Sequence, residues 1–422
     1  MAVLFCLVAG ATNPIGIMSP VNPPSFRATV SVLSAGQLVC WAALYYGFSS
    51  FVLPMQQALG WSKPQLMGGF TLALAVWGVS TYAVGSAIDH GFGRHVLSFG
   101  AMLGGAGFVM WSQVHSLAGF YLSMAAIGAA MAMTLYEPAF IVLTKRFPDR
   151  YPQGITALTL VGGLASTLAF PAAVGLIAWI EWRAALVVIG GVLMAGVAPA
   201  HAWALRGTPE RIEPPRPVDA AADATLQEAL RASSFWLLAA TFTLYSFGAA
   251  ALWAHVMPAF AGKGFSEAEA LAVIVWIGPA QVLGRFLYLL FGRWLSARHL
   301  GLLVLGGLPV SLAVFALADG MAALMLFAAL FGFANGLVTI VRGNVVPQYF
   351  GRAQVGRISG AMSGITLLAR AAAPLVAAWW LLALPGYREL LLVLAALSLA
   401  ALMAFALARP PDSREGAIRR DR

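Results

Sequence analysis

The stretch IGPAQVLGRFLYLLFGRWL, residues 277–295, is apolar enough to cross a bilayer yet carries an arginine, Arg285, in its middle. A guanidinium does not give up its proton in a protein. Placing one at the centre of a spanning helix costs about 2.5–3.5 kcal/mol on the mildest scale. Steps of four and three along a helix put Gln281, Arg285 and Tyr288 on one polar stripe, with Gly278 and Gly292 as small, close-packing positions beside it. The stripe reads as the wall of a water-filled cavity that receives an anion.

The rest of the chain fits that setting. Of its 422 residues 60% are hydrophobic and 10% charged, far from the soluble average of about 45–50% apolar and 25% charged. This is the composition of a polytopic membrane protein. The net charge of +9 is scattered over short loops rather than gathered on one soluble face, so no nucleic-acid partner is expected. Two cysteines, Cys6 and Cys40, offer neither a disulfide framework nor a metal-ligand spacing, and no cofactor or metal is expected. The opening MAVLFCLVAG lacks the positive flank of a signal peptide. With Pro14, Pro20, Pro23 and Pro24 behind it, it reads as a disordered leader over 1–28 or an artefact of the chosen start site.

Apolar runs long enough to span occur at 29–58, 65–88, 95–115, 118–145, 153–179, 183–205, 233–261, 267–294, 299–318, 321–346, 354–384 and 387–408. The longest polar interruption, 206–231, is rich in proline, alanine and charge and reads as a linker. It separates one six-helix bundle, 29–205, from another, 232–409, before a basic tail, 410–422. Eighteen of the 25 lysines and arginines fall in the leader, the linker, the tail and the loops on their side, against four on the other. Both termini are therefore expected in the cytoplasm. The remaining three, Arg285, Arg342 and Arg370, lie within spans. Gly154, Gly162 and Pro171 in the fifth span are spaced much like Gly356, Gly364 and Pro374 in the eleventh, and Phe147 closes the fourth span as Phe350 closes the tenth. Such echoes suggest a duplicated transporter, although glycine and proline are also common in membrane helices generally.

Between the second and third spans stands Gly85-Ser-Ala-Ile-Asp89-His-Gly-Phe-Gly93-Arg94-His95. It resembles the G-x-x-x-D-R-x-G-R-R loop of the major facilitator superfamily, with one extra residue before the second glycine and His90 in place of the first basic residue. The resemblance implies an all-α membrane protein of twelve transmembrane helices in two pseudo-symmetric six-helix bundles. It also implies that Asp89 caps a neighbouring helix and latches the bundles in one state, with Arg94 beside it. Arg285 further resembles the substrate-carboxylate arginine of the monocarboxylate transporters and the oxalate/formate antiporters. The latter pair it with a cation in the eleventh span, where Arg370 stands here. Gly60-Trp61-Ser62 is similar to the glycine-aromatic entry to the second span in those families.

Ser359, Ser363, Thr366 and Arg370 share one face of the eleventh span, which reads as cavity lining. The alternative is that the hydroxyls bond their own backbone and the arginine is fixed to a neighbouring helix. At a rise of about 1.5 Å per residue, Arg370 lies about 20 Å from Gly356 and Arg285 about 10 Å from Gly292, at different depths. Glu137 in the fourth span and Arg342 in the tenth come at similar distances from Phe147 and Phe350. They are expected to form an inter-bundle gate, a proton-carrying site if the glutamate is unpaired, or a structural pair. His255 follows Thr241, Tyr245 and Gly248 at helical spacing and is either a cavity residue or a packing one. Asn335, Thr339 and Arg342 share a face, as do Gln37, Trp41 and Tyr45, of which Tyr45 is the favoured contact.

The expected function is secondary transport of a small organic anion, a monocarboxylate, across the inner membrane by alternating access. Arg285 is the main contact, with Arg370, Gln281, Tyr288, Tyr45 and His255 around it. Proton symport or anion exchange supplies the energy, since no G-x-x-x-x-G-K loop is present. The partners are the anionic substrate, the bilayer and a coupling proton, and the chain is expected to act as a monomer. Drug efflux is the alternative within the same architecture, but it calls for an embedded acid as the main charge, and here three arginines face one glutamate. A receptor or membrane enzyme calls for a large extramembrane domain or a catalytic constellation, and no loop is long enough to hold one.

Overall fold

A computed structural model describes residues 23–207, 223–317 and 320–409. Most of the leader, the middle of the linker and the basic tail thus lie outside the described residues. Among those described, twelve helices are long and apolar enough to cross a membrane. They are α1 Phe26–Leu59, α2 Pro64–Asp89, α3 Gly93–Ser112, α4 Leu117–Arg146, α5 Tyr151–Ile180, α6 Trp182–Ala204, α7 Ser233–Gly262, α8 Glu267–Phe291, α9 Ala297–Leu317, α10 Met321–Phe350, α11 Val355–Trp380 and α12 Tyr387–Leu407. The first starts three residues earlier than the hydropathy suggests, because Ser25 caps it by accepting the Ala28 N–H at 3.3 Å. The end of the linker is also not a plain coil. Thr225 and Glu228 form a capping box over a short helix, Leu226–Arg231. Asp223 Oδ1 accepts the Arg352 N–H at 2.6 Å, and the Leu226 N–H donates to Gln354 Oε1 at 2.8 Å, tying this segment to the α10–α11 turn.

The same partner pattern recurs in each half. α3 packs on α4 as α9 does on α10, α2 on α4 as α8 on α10, α3 on α6 as α9 on α12, and α1 on α5 as α7 on α11. The ring pair Phe26–Phe147, at 5.1 Å, closes α1 against α4 as Phe235–Phe350, at 6.3 Å, closes α7 against α10.

Two main seams join the halves among the described residues, α2 to α11 and α5 to α8 together with α10. The first is a backbone-to-backbone contact that only glycine permits. A Cβ at Gly85 would collide with the Gly356 carbonyl, and one at Gly360 would come within 2.6 Å of the Thr81 carbonyl oxygen. Thr81 Oγ1 crosses the seam to donate to the Gly360 carbonyl at 3.0 Å. Small residues let helices approach this closely when lipid supplies no hydrophobic drive between them.

Gly85→Val should therefore force the seam apart. The expected cost is about 1–3 kcal/mol of overpacking, read as a lower unfolding temperature in detergent, whereas Gly191→Ala in α6, where an added Cβ meets nothing within 4 Å, spares this cost.

Candidate functional site

The site starts from a break in α4. Pro138 has no N–H to give the Thr134 carbonyl, and the helix is interrupted at Leu135. The amide of Gln37 fills the gap, donating from Nε2 to the Thr134 carbonyl at 2.7 Å and the Leu135 carbonyl at 3.3 Å. The new helix begins at Tyr136, so Glu137 sits in its first turn, where the helix dipole favours a carboxylate. From there Glu137 Oε1 meets Arg342 Nη2 of α10 at 3.3 Å, with both side chains 21% exposed. Arg342 also donates to Ser363 Oγ of α11.

This ion pair lies on the wall of a cavity of about 100 Å³ between the halves. Ser359, Ser363, Thr366 and Arg370 all line it, so the four-residue stripe on α11 faces the cavity. The hydroxyls also use their own backbone, as Thr366 Oγ1 does on the Met362 carbonyl at 2.9 Å; the two alternatives for this stripe coexist. Opposite stand Trp41, Trp77, Tyr136 and Phe140. Trp41 and Tyr45 belong to a π-helical segment of α1, Trp41–Tyr46. Extra-wide turns of this kind recur at functional sites. Arg370 is exposed, donates from Nη2 to the Tyr45 hydroxyl at 2.9 Å and lies 5.6 Å from the centre of its ring.

Arg285 is placed differently. It is 5% exposed and is absent from the cavity wall. Its Nε donates to the Gly336 carbonyl of α10 at 2.9 Å, and its guanidinium rests against Gly163 of α5, where a Cβ would collide with it. It stands in the second seam, one residue along from Gly162, whose added Cβ would lie 2.7 Å from the Tyr136 hydroxyl. Tyr46 is within electrostatic reach of both Arg285 and Arg370. Gln281 backs on Gly336 through its own backbone, and the Tyr288 ring covers Gly292; neither lines the cavity. His255 is also away from it, with Nε2 on the Pro374 carbonyl at 3.1 Å and its ring 6.1 Å from that of Tyr387. Of the α10 face, Thr339 and Arg342 reach the cavity and Asn335 does not.

At one end the cavity is closed. Asp89 Oδ1 accepts the Gly356 N–H at 3.0 Å and Oδ2 the Arg357 N–H at 2.8 Å, capping α11 from the other half. The cation beside it is Lys145 of α4, whose Nζ is 3.0 Å from Asp89 Oδ1 and 3.1 Å from the Ala353 carbonyl oxygen. The pair is buried, at 2% and 5% exposure. Arg357 adds Ser86 Oγ at 3.2 Å and His90 Nε2 at 3.0 Å. Arg94 is exposed on the outer surface and makes no ion pair with the described residues. Sequence reasoning counted Lys145 only as loop charge. The signal that could have found it is its place in the last turn of α4, four residues inside Asp149 and at the same end as Asp89.

The sequence model of the Major Facilitator Superfamily matches residues 33–320. No curated protein sequence matches the chain. Among solved structures, the human organic anion transporter MFSD10 (TETRAN) is similar over 90% of this chain and 100% of its own, with a TM-score of 0.69 and 19% identity. FucP in the outward conformation superposes over 91% of this chain and 100% of its own, with a TM-score of 0.72 and 13% identity. A variant of FucP, the fucose:proton symporter of E. coli, gives 92% and 100% with a TM-score of 0.71 and 13% identity. At these identities the likeness is one of fold.

Lys145→Met strands the buried Asp89 carboxylate and Asp89→Asn the buried Lys145 ammonium, each at about 3–5 kcal/mol, but Asp89→Asn also gives up one of the two acceptors that hold α11 across the seam. Thiol labelling of a cysteine introduced at Ser359 from that end should rise in the order wild type, Lys145→Met, Asp89→Asn.

Proposed function

We propose, on the premise that the chain belongs to the Major Facilitator Superfamily, that this secondary transporter carries a small organic monocarboxylate. It is a transporter and not an enzyme. The observation that carries the reading is the state of Arg370. It is exposed beside the cavity, its hydrogen-bond partner is the Tyr45 hydroxyl, and among the described residues it forms no ion pair. Arg342 is matched by Glu137, so the charges lining the cavity are two arginines against one glutamate, a surplus of one positive charge. A carboxylate neutralises that surplus through a charge-assisted contact. MFSD10 is an organic anion transporter and FucP a proton symporter, which is compatible with an anion moved with a proton or in exchange for another anion.

In this reading the halves, 29–205 and 232–409, rock about the cavity. Arg285 is the second anion contact, with Gln281 and Tyr288 on its stripe. Parting the α5–α8 seam frees its guanidinium from Gly163 and turns it toward the substrate. The Glu137–Arg342 pair is the gate between α4 and α10, and Asp89 latches α2 to α11. The lysine and arginine bias supports an inner-membrane protein with the Asp89 end and both termini on the cytoplasmic side, and in that orientation the capped end of α11 closes the inward path. His255 serves packing between α7 and α11.

Uptake of a panel of short monocarboxylates, amino acids, sugars and cationic drugs into proteoliposomes tests the reading. Only the carboxylates should be carried, and transport of neutral or cationic cargo alone would sink it. Arg370→Ala removes a charged hydrogen bond worth about 1.5–3 kcal/mol, so half-saturation should rise about tenfold to a hundredfold. Arg285→Lys should impair uptake despite the kept charge, because a lysine has no planar fork; unchanged uptake removes Arg285 from the site.

With Glu137→Gln the pH dependence of uptake should persist if the pair is a gate only. Its loss would assign the coupling proton to Glu137.

A further inference from the structure

Resting on the anion reading above, we infer that the carried anion is an aromatic carboxylate. The cavity has two unlike walls. Trp41, Trp77, Tyr136 and Phe140, all from the first half, make one of them, while Arg342 and Arg370 with the α11 hydroxyls make the other. The rings form a continuous series. Phe140 stacks on Tyr136 at 5.5 Å and 15°, Tyr136 meets Trp41 at 4.9 Å and 43°, and Trp41 meets Trp77 at 6.0 Å and 73°. All four are mostly buried, but Trp41, Tyr136 and Phe140 each keep 8% of their surface exposed and Trp77 2%, and all four line the cavity. Two irregularities bring them there, the π-helical turn holding Trp41 and the α4 break that starts a new helix at Tyr136.

An aromatic face is the negative part of the ring's quadrupole and an edge the positive part. A carboxylate is thus turned away from the ring wall and toward the arginines. The body of the ligand meets the rings, whose mutual spacings already lie in the range of about 4.5–7 Å at which aromatic pairs form. A ligand ring extends the series, edge to face or offset, whereas a saturated body of equal size gains only buried area. The difference amounts to about threefold to tenfold in affinity. With Glu137, next to Tyr136, paired to Arg342, the cavity as a whole keeps a surplus of one positive charge, which suits one carboxylate rather than two.

The test compares benzoate, cyclohexanecarboxylate, propionate and benzyl alcohol at pH 7, by concentration-dependent thermal stabilisation of the purified full-length protein. Benzoate should bind about threefold to tenfold more tightly than cyclohexanecarboxylate, with propionate weaker still. Equal or tighter binding of cyclohexanecarboxylate or propionate overturns the aromatic class and leaves the anion reading standing. Benzyl alcohol binding as tightly as benzoate overturns the anion reading beneath it, and stabilisation by none of the three acids overturns both. In Phe140→Leu and Trp41→Leu, each checked for its own unfolding transition, the benzoate-to-cyclohexanecarboxylate ratio should fall toward one. A ratio that neither substitution moves removes the rings from the site.

Discussion

Permanent positive charge at membrane depth is the constraint that the rest of the structure answers. Hydrocarbon offers no solvation to a guanidinium, so each one needs protein groups or water around it. The three embedded arginines are provided for in three ways. Arg285 has a helix carbonyl, that of Gly336, and a glycine cleft at Gly163. Arg342 has a carboxylate, Glu137, and a hydroxyl, Ser363. Arg370 has a phenol, Tyr45, and the open cavity. The first and third leave the charge without a counter-ion among the described residues, and of these two only the third faces the cavity. It is there that an incoming anion gains most, since it neither displaces a carboxylate nor opens a packed seam.

The two seams between the halves are related in plan and unlike in content. The α2–α11 seam is made of backbone, with Gly85, Gly356 and Gly360 at contact and Asp89 capping the end of α11. The α5–α8 seam holds a side chain, the Arg285 guanidinium, against Gly163. Parting the first exposes backbone and a cap, whereas parting the second releases a cation.

Much of this was legible from single residues, because membrane depth makes polar side chains conspicuous. The Ser359, Ser363, Thr366 and Arg370 stripe is a matter of helical period alone, and it faces the cavity. Glu137 and Arg342 could be matched by counting back from Phe147 and Phe350, and they meet at 3.3 Å. Arg285 shows the limit of such counting. Its stripe with Gln281 and Tyr288 is correct as a helix face, but a period does not say whether that face meets water or another helix, and here it meets Gly163 of α5. Lys145 was missed because a lysine at a helix end ordinarily reaches solvent; its burial depends on α2 and α11 converging on it. The role of Gln37 is equally hidden, since it answers a carbonyl freed by a proline about a hundred residues away.

The latch also bears on how the halves can exchange states. Asp89 and Lys145 both belong to the first half, so their buried pair survives when the halves part. What breaks across the seam is a set of hydrogen bonds, two backbone N–H groups on Asp89, the lysine on the Ala353 carbonyl, Arg357 on Ser86 and His90, and Thr81 on the Gly360 carbonyl. Hydrogen bonds to a charged group contribute about 1.5–3 kcal/mol each, and water and the freed helix end recover part of that. The net is a few kcal/mol, the same order as the about 5.5 kcal/mol that carries a two-state equilibrium from 1:99 to 99:1. If the buried ion pair itself crossed the seam, its separation would strand two desolvated charges and closure would be nearly irreversible. Placing both partners on one side keeps that pair neutral through the cycle, and the ion pair that does cross between the halves among the described residues, Glu137–Arg342, is 21% exposed on the cavity wall, where water reaches both charges as they separate.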